Sequence, residues 1–287
     1  MSSYVVDAEK EEIMFKEVKE FKVRNSDIFL LGNHRSGTTW SQEMIWIIAN
    51  DLNYEGAKLF VDERIPVIEL SGYMLKRTPE VFNPECHWNS VEFVRKMTDP
   101  RCIKSHLPLK RLPEELINET NMAKIIYVAR NPKDVCLSMY CYLNMVDKAN
   151  CTFEEYCDLF MKGYKFLDNK YYDFWSTLLH FWNRRNSPNV LFIKYEDMKH
   201  DLATIIKQVA TFLEKKLTED EVAQLVKWLD FETMKNNEAV NHNNLYRKTG
   251  FMRTGKAGGH KEMMSKETLA KFDSWIQENV KNTDYKM

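Results

Sequence analysis

Four short apolar runs constrain this chain more than any other feature, because each ends in a cluster of polar, chemistry-bearing residues. They are Asp27 to Leu31, Arg101 to Lys104, Lys124 to Ala129 and Asn189 to Lys194. Continuous apolar stretches of this length, rather than alternating ones, predict parallel strands buried on both faces. Helical patterns lie between and after them. Trp40 to Ala49 is an apolar-rich helix, and Thr152-Phe-Glu-Glu155 is a capping box opening a helix with Phe153, Tyr156, Cys157, Phe160 and Tyr164 on one face. Thr218-Glu-Asp-Glu221 is a second capping box before Val222, Leu225, Val226 and Leu229. Ser265 caps a last helix carrying Leu269, Phe272, Ile276 and Val280. Strands alternating with helices predict an α/β fold class, a three-layer domain with a central, mostly parallel sheet.

The polar clusters follow the strands in order: Gly32-Asn-His-Arg-Ser-Gly-Thr-Thr39, Lys104-Ser-His106, Arg130-Asn-Pro-Lys-Asp134 and Tyr195-Glu-Asp197. In open parallel sheets ligands bind at the carboxyl ends of the strands. Four segments obeying that rule predict one shared site.

Composition narrows the partners. Lys and Arg number 41 against 42 Asp and Glu, a net charge of -1, which argues against a general nucleic-acid binder and an acidic disordered chain. The N-terminal residues carry acids where a signal peptide carries Lys or Arg, and the longest apolar runs fall far short of a membrane span. The six cysteines form no CxxC pair and read as reduced structural thiols, so no metal and a cytoplasmic location are expected. No linker or repeat divides the 287 residues, which predicts one domain over 1–287.

Gly32-x4-Gly37 between a strand and a helix has the form of a phosphate-binding loop. Glycines let the backbone curl around a phosphate, and the helix N-terminus adds its positive dipole end. The nucleotide triphosphatase pattern requires Lys-Ser/Thr after the second glycine, but Thr38 and Thr39 stand there and the cation is earlier, at Arg35. The loop thus predicts a phosphate-like ligand without metal-assisted triphosphate chemistry. Taken alone it also fits a capped tight turn, and Trp40 also fits a core tryptophan.

At Arg35-Ser-Gly-Thr-Thr-Trp40 the chain resembles the cytosolic sulfotransferases, whose phosphosulfate loop reads Pro-Lys-Ser-Gly-Thr-Thr-Trp. Lys104-Ser-His-Leu-Pro108 is similar to that family's Lys-Thr-His-Leu-Pro. Tyr127-Val-Ala-Arg-Asn-Pro-Lys-Asp134 with Ser138, Tyr195-Glu-Asp-Met198, Phe231 with Met234-Lys235, and Phe251-Met-Arg253 with Gly255 follow in the family's order. Gln42 to Trp46 and Asp51 to Ala57 look most like insect members. The resemblance implies a P-loop-kinase-like sulfotransferase fold, with a phosphosulfate loop at 32–39 and a nucleotide-covering loop at about 236–262.

It also implies transfer of a sulfonate from 3′-phosphoadenosine 5′-phosphosulfate (PAPS) to a hydroxyl or amine, leaving 3′,5′-adenosine bisphosphate (PAP), without a metal. The acceptor would be small and lipophilic, such as a phenol, alcohol, sterol, retinoid or amine. Carried over by position, His106 is the general base and Lys104 stabilises charge on the transferring group. Ser36, Gly37, Thr38 and Thr39 cradle the 5′-phosphosulfate, and Arg35, also a donor-binding residue, takes the catalytic place of the loop cation against the leaving bisphosphate. Arg130, Ser138, Arg253, Thr254 and Gly255 hold the 3′-phosphate, while Trp40, Tyr195 and Phe231 surround the adenine. Phe82, Trp88 and Tyr142, with His106, are candidates for the acceptor pocket, although core packing explains such aromatics equally well. An imidazole titrates near neutrality and suits the base, and a guanidinium fork suits a phosphate dianion.

The chain also departs from the family. Arg35 replaces the loop Lys, keeping the charge but unable to give up a proton readily. Thr254 replaces a Lys that follows Arg253, with Lys256 close enough in sequence to compensate, and Gly259-His260 replaces Asp-Trp. The family dimer segment Lys-x3-Thr-Val-x3-Glu becomes Lys261, Ser265, Lys266 and Ala270, losing its apolar and acidic members, which leaves a homodimer open. Three alternatives stay in view: a nucleotide kinase, which shares a phosphate loop and parallel sheet but is opposed by Thr38; a weakened nucleotide- or ligand-binding protein, suggested by Arg35 and Thr254; and dehydration of an allylic alcohol through a transient sulfonate ester, which uses the same donor and base. If Arg35 limits the chemistry, Arg35→Lys raises turnover of a labelled donor; an unchanged or lower rate contradicts this.

Overall fold

A computed structural model describes residues 8–73, 84–118, 120–145, 150–163, 173–242, 252 and 255–287. The four apolar runs form strands β1 (Ile28–Gly32), β2 (Cys102–Ser105), β3 (Lys124–Ala129) and β4 (Val190–Lys194). They make one sheet in the order β2-β1-β3-β4, and each pairing is parallel. Both faces are covered, which explains why the runs are apolar throughout. Phe29, Leu31, Ile103, Ile125, Tyr127 and Val190 pack into a core shared with the helices Phe153–Met161, Phe174–Asn183 and Lys266–Val280. Ile28, Leu30, Cys102, Ile126, Val128 and Ile193 pack into the other, with the helices Thr38–Ala49, Leu202–Phe212 and Glu219–Trp228.

Register sets the functional edge. Leu31 lies opposite Ser105, Gly32 opposite Val128 and Ala129 opposite Lys194, so the polar clusters emerge along one end of the sheet. The chain leaves β1 toward β2 and returns across it to β3, placing a topological switch point between β1 and β3, where ligands of open α/β sheets bind. Beyond β2, Lys104 N–H donates to the Pro66 carbonyl (2.9 Å) and Ile68 N–H to the Lys104 carbonyl (3.0 Å). That pairing brings Glu69 alongside His106.

The capping boxes at Thr152 and Thr218 and the cap at Ser265 form as the sequence predicts. The six cysteines are free thiols. Among the described residues no helix is long and apolar enough to cross a membrane. Three strand starts differ from the expected ones: β4 begins at Val190 rather than Asn189, and β1 and β2 begin one residue late, at Ile28 and Cys102. The preceding residues, Asp27 and Arg101, are instead a buried ion pair. Arg101 Nε donates to Asp27 Oδ1 at 2.7 Å and Nη2 to Oδ2 at 2.6 Å, with both side chains almost fully buried. Asp27 Oδ2 also accepts from the Arg24 N–H (2.8 Å), which turns the chain into β1. Removing one member of a buried pair strands the other charge. Asp27→Ala is therefore expected to cost about 3–5 kcal/mol in urea unfolding; a loss below about 1 kcal/mol contradicts this account.

Candidate active site

The loop after β1 is shaped by two left-handed residues, Arg35 (φ 66°) and Gly37 (φ 93°). Gly37 precedes the Thr38–Ala49 helix, and a Cβ there would lie 2.5 Å from the Tyr195 ring, so glycine is required on both counts. Thr38 is buried, whereas Thr39 and Trp40 are half-buried. Ser36 Oγ and Arg130 Nε are buried without a hydrogen-bond partner among the described residues. Orphaned donors beside a glycine cradle and a helix N-terminus fit a phosphate-bearing ligand.

The other clusters converge on this loop. Arg130, at the end of β3, donates through Nη1 to the Arg35 carbonyl (2.9 Å) and through Nη2 to the Lys256 carbonyl (3.1 Å). Its guanidinium lies 4.3 Å from the Tyr195 ring centroid. Arg35 Nε donates to Ser138 Oγ (3.1 Å), and its guanidinium stands 5.4 Å from the Tyr142 ring centroid. Tyr195 Oη donates to the Gly255 carbonyl (3.0 Å), and Gly255 (φ 60°) has no room for a Cβ beneath the Phe231 ring. Trp40 meets Tyr195 edge-on at 5.8 Å and donates Nε1–H to the Leu229 carbonyl (2.8 Å). Lys256 thus reaches Arg130 by its backbone.

His106 enters from the end of β2. Its Nδ1 lies 2.7 Å from the Gly32 carbonyl oxygen, which only accepts, so Nδ1 carries the proton and Nε2 holds the lone pair. The His34 ring stacks on it, with centroids 4.1 Å apart. Burial pushes the His106 imidazole well below its ordinary pKa, and the nearby His34 and Lys104 add to this. Lys104 Nζ donates to Gln42 Oε1 (2.8 Å), whose amide donates in turn to the Ile65 carbonyl (2.9 Å). Burial lowers Lys104 to about 8, which leaves it mostly protonated at neutral pH.

Of the residues singled out from sequence, Arg35, Ser36, Gly37, Trp40, Lys104, His106, Arg130, Ser138, Tyr142, Tyr195, Phe231 and Gly255 gather at this edge. Phe82, Arg253 and Thr254 lie outside the described residues. Trp88 is 47% exposed, and no hydrogen bond or ring contact joins it to His106 among the described residues.

Two contributors, Glu69 and Gln42, escaped the sequence reading, and a third, Asp134, reads there only as a member of the cluster after β3. Glu69, fully buried, accepts the His106 N–H at 2.6 Å; its signal was a lone acid inside the apolar run Ile65 to Leu70. Gln42 holds Lys104 and looked like an ordinary helix residue. Asp134 accepts from the Gly258 N–H (2.6 Å) and from the His260 N–H (3.1 Å), and its Oδ1 lies 2.7 Å from His260 Nδ1. Burial opposes the charge of Asp134, but these bonds outweigh it and hold the carboxyl below its usual range. His260, which stands where the resemblance had an aromatic, thus fastens the C-terminal loop.

A fold and edge of this kind define a P-loop-like α/β domain whose phosphate-shaped loop lies beside a buried histidine. The chain belongs to the sulfotransferase family, whose sulfotransferase domain matches residues 25–284. It is similar to the luciferin sulfotransferase of Photinus pyralis, 36% identical over 284 residues, covering 94% of this chain and 76% of that one. It is also similar to retinol dehydratase in complex with retinol and PAP, with a TM-score of 0.83 and 29% identity over 96% of this chain and 87% of that one. The same enzyme with androsterone and the inactive cofactor PAP gives a TM-score of 0.84 at 29% identity, covering 97% and 88%.

Burial raises Glu69 to about 7 from an ordinary 4.5. The folded state therefore holds this proton more tightly than the unfolded chain, and its stabilising effect, complete below 4.5, is lost as pH rises to 7. Glu69→Gln keeps an acceptor for the His106 N–H and removes the titration. Its stability relative to wild type should rise between pH 4.5 and 7 by up to about 3 kcal/mol. A pH-independent difference in denaturant unfolding contradicts the assignment.

Proposed function

We propose that this protein transfers a sulfonate from PAPS to a hydroxyl or amine of a small lipophilic acceptor, with His106 as general base. The observation that carries the reading is the 2.7 Å contact between His106 Nδ1 and the Gly32 carbonyl, because it joins the base to the phosphate loop itself. The donor, when bound, supplies a sulfonate activated by its anhydride link to phosphate. His106 Nε2 takes the acceptor's proton, and the depressed basicity of the imidazole keeps that atom free to do so in mildly acidic as well as neutral solution. Lys104, steadied by Gln42, places a positive charge beside the base, where negative charge on the transferring group develops.

Ser36, Gly37, Thr38 and Thr39 cradle the 5′-phosphosulfate, and Arg35 adds charge to the loop. Arg130, Ser138 and the 253–255 segment hold the 3′-phosphate, with Trp40, Tyr195 and Phe231 around the adenine. The Arg35–Ser138 bond joins the two halves of this site. Tyr142, Phe82 and Trp88, with His106, are the residues proposed to meet the acceptor. The acceptor class follows the relatives, one named for luciferin and another crystallised with retinol and androsterone. The family points to a cytoplasmic enzyme.

A second reading is favoured by the likeness to retinol dehydratase: the same donor and base would convert an allylic alcohol into a sulfonate ester that then eliminates. Incubation with labelled PAPS and a panel of phenols, alcohols, sterols, retinoids and amines separates the two by product. A stable ester supports transfer; a dehydrated acceptor with free sulfate supports elimination. His106→Ala should reduce either reaction by at least about 100-fold while PAP affinity stays within a few-fold. PAP binding without turnover in wild type would make the protein a binder.

A further inference from the structure

The imidazole of His34 is not explained by phosphate binding. It belongs to the phosphate loop, yet its ring lies against His106, with centroids 4.1 Å apart and planes tilted by 32°. His106 is thus held on three sides. Gly32 takes the Nδ1 proton, Glu69 takes the backbone N–H at 2.6 Å, and His34 covers a face of the ring. The charged or titratable groups facing this pair are Arg35 from the loop, Lys104 from β2 and Glu69 from the segment beside β2. Burial, then Lys104 and Arg35, pushes His34 down to about 3, so both imidazoles are neutral in the working range.

Two neutral stacked rings keep water from one face of the base and fix its plane, whereas a small residue at 34 would open that face to solvent. We infer that His34 is a positioning residue for the base, stacking on His106 so that Nε2 stays aimed at the acceptor. This rests on the assignment of His106 as general base. Arg35 and Lys104 carry charge toward the transferring group, and His34 adds none. Its contribution is the ring surface, so another flat aromatic of similar size should replace it and an aliphatic stub should not.

The test compares His34→Ala, His34→Phe and His106→Ala, with kcat measured against pH at saturating PAPS and acceptor, and PAP affinity measured separately. A base acts in its deprotonated form, so the acid limb of wild type should fall below 6.5, the ordinary histidine value. In His34→Ala that limb should move up by at least half a pH unit and kcat should fall about tenfold. PAP affinity should change less than threefold, and His34→Phe should restore both the limb and most of kcat. An unmoved limb in His34→Ala overturns the inference, and so does a His34→Phe variant that behaves like the alanine. Imidazole NMR titration of the wild type reads the same property without a variant: a His106 that protonates at or above 6.5 also overturns it. If His106→Ala retains turnover, the base assignment itself falls; if it is inactive while His34→Ala is normal, only the role of His34 falls.

Discussion

The hydrogen bond from His106 Nδ1 to the Gly32 carbonyl organises the site, because it locks the end of β2 to the loop that ends β1. It settles the tautomer, and with it which nitrogen is available for proton transfer. It also requires a buried acceptor at the last residue of β1, where a side chain is not tolerated: a Cβ on Gly32 would lie 2.6 Å from the Val128 carbonyl. The parallel register supplies that arrangement by ending β1 and β2 level with each other. Lys104 and Glu69 then fall beside the histidine through the pairing of the Pro66–Ile68 segment with β2.

On the other side of the loop, cohesion comes from charged side chains tied to the backbone. Arg130 holds the Arg35 and Lys256 carbonyls, and Asp134 holds the backbone N–H groups of Gly258 and His260. Residues from the first, third and last parts of the chain therefore share one enclosure. The Arg35–Ser138 bond adds a link between the loop after β1 and the helix after β3. An arginine reaches Ser138 with Nε while presenting its guanidinium to Tyr142, a two-part contact beyond an ammonium's geometry. The exchange of Lys for Arg thus changes architecture as well as proton chemistry.

Much of this was legible in the residues. The strands, the three helix caps and the glycine loop depend on local spacing, which a sequence displays directly, and the polar clusters marked the functional edge before any coordinates. The ion pair of Asp27 and Arg101 was not legible: both residues read as strand members, and only the pairing of β1 with β2 brings them together. Glu69 left a faint trace as an acid in an apolar run, whereas Gln42 left none, since a glutamine in an apolar helix signals nothing about a lysine 62 residues away.

The sequence by itself determined the class of fold, the glycine loop after β1 and the polar clusters at the strand ends, His106 and the cations among them. Those follow from periodicity and from residue types that only certain chemistry requires. The tertiary structure decided which atoms act together: the Nδ1 proton and free Nε2 of His106, the stacking of His34, and the clamp from Asp134 to His260 across 126 residues. These depend on strand order and register, properties of pairing between distant segments, and no local pattern encodes them.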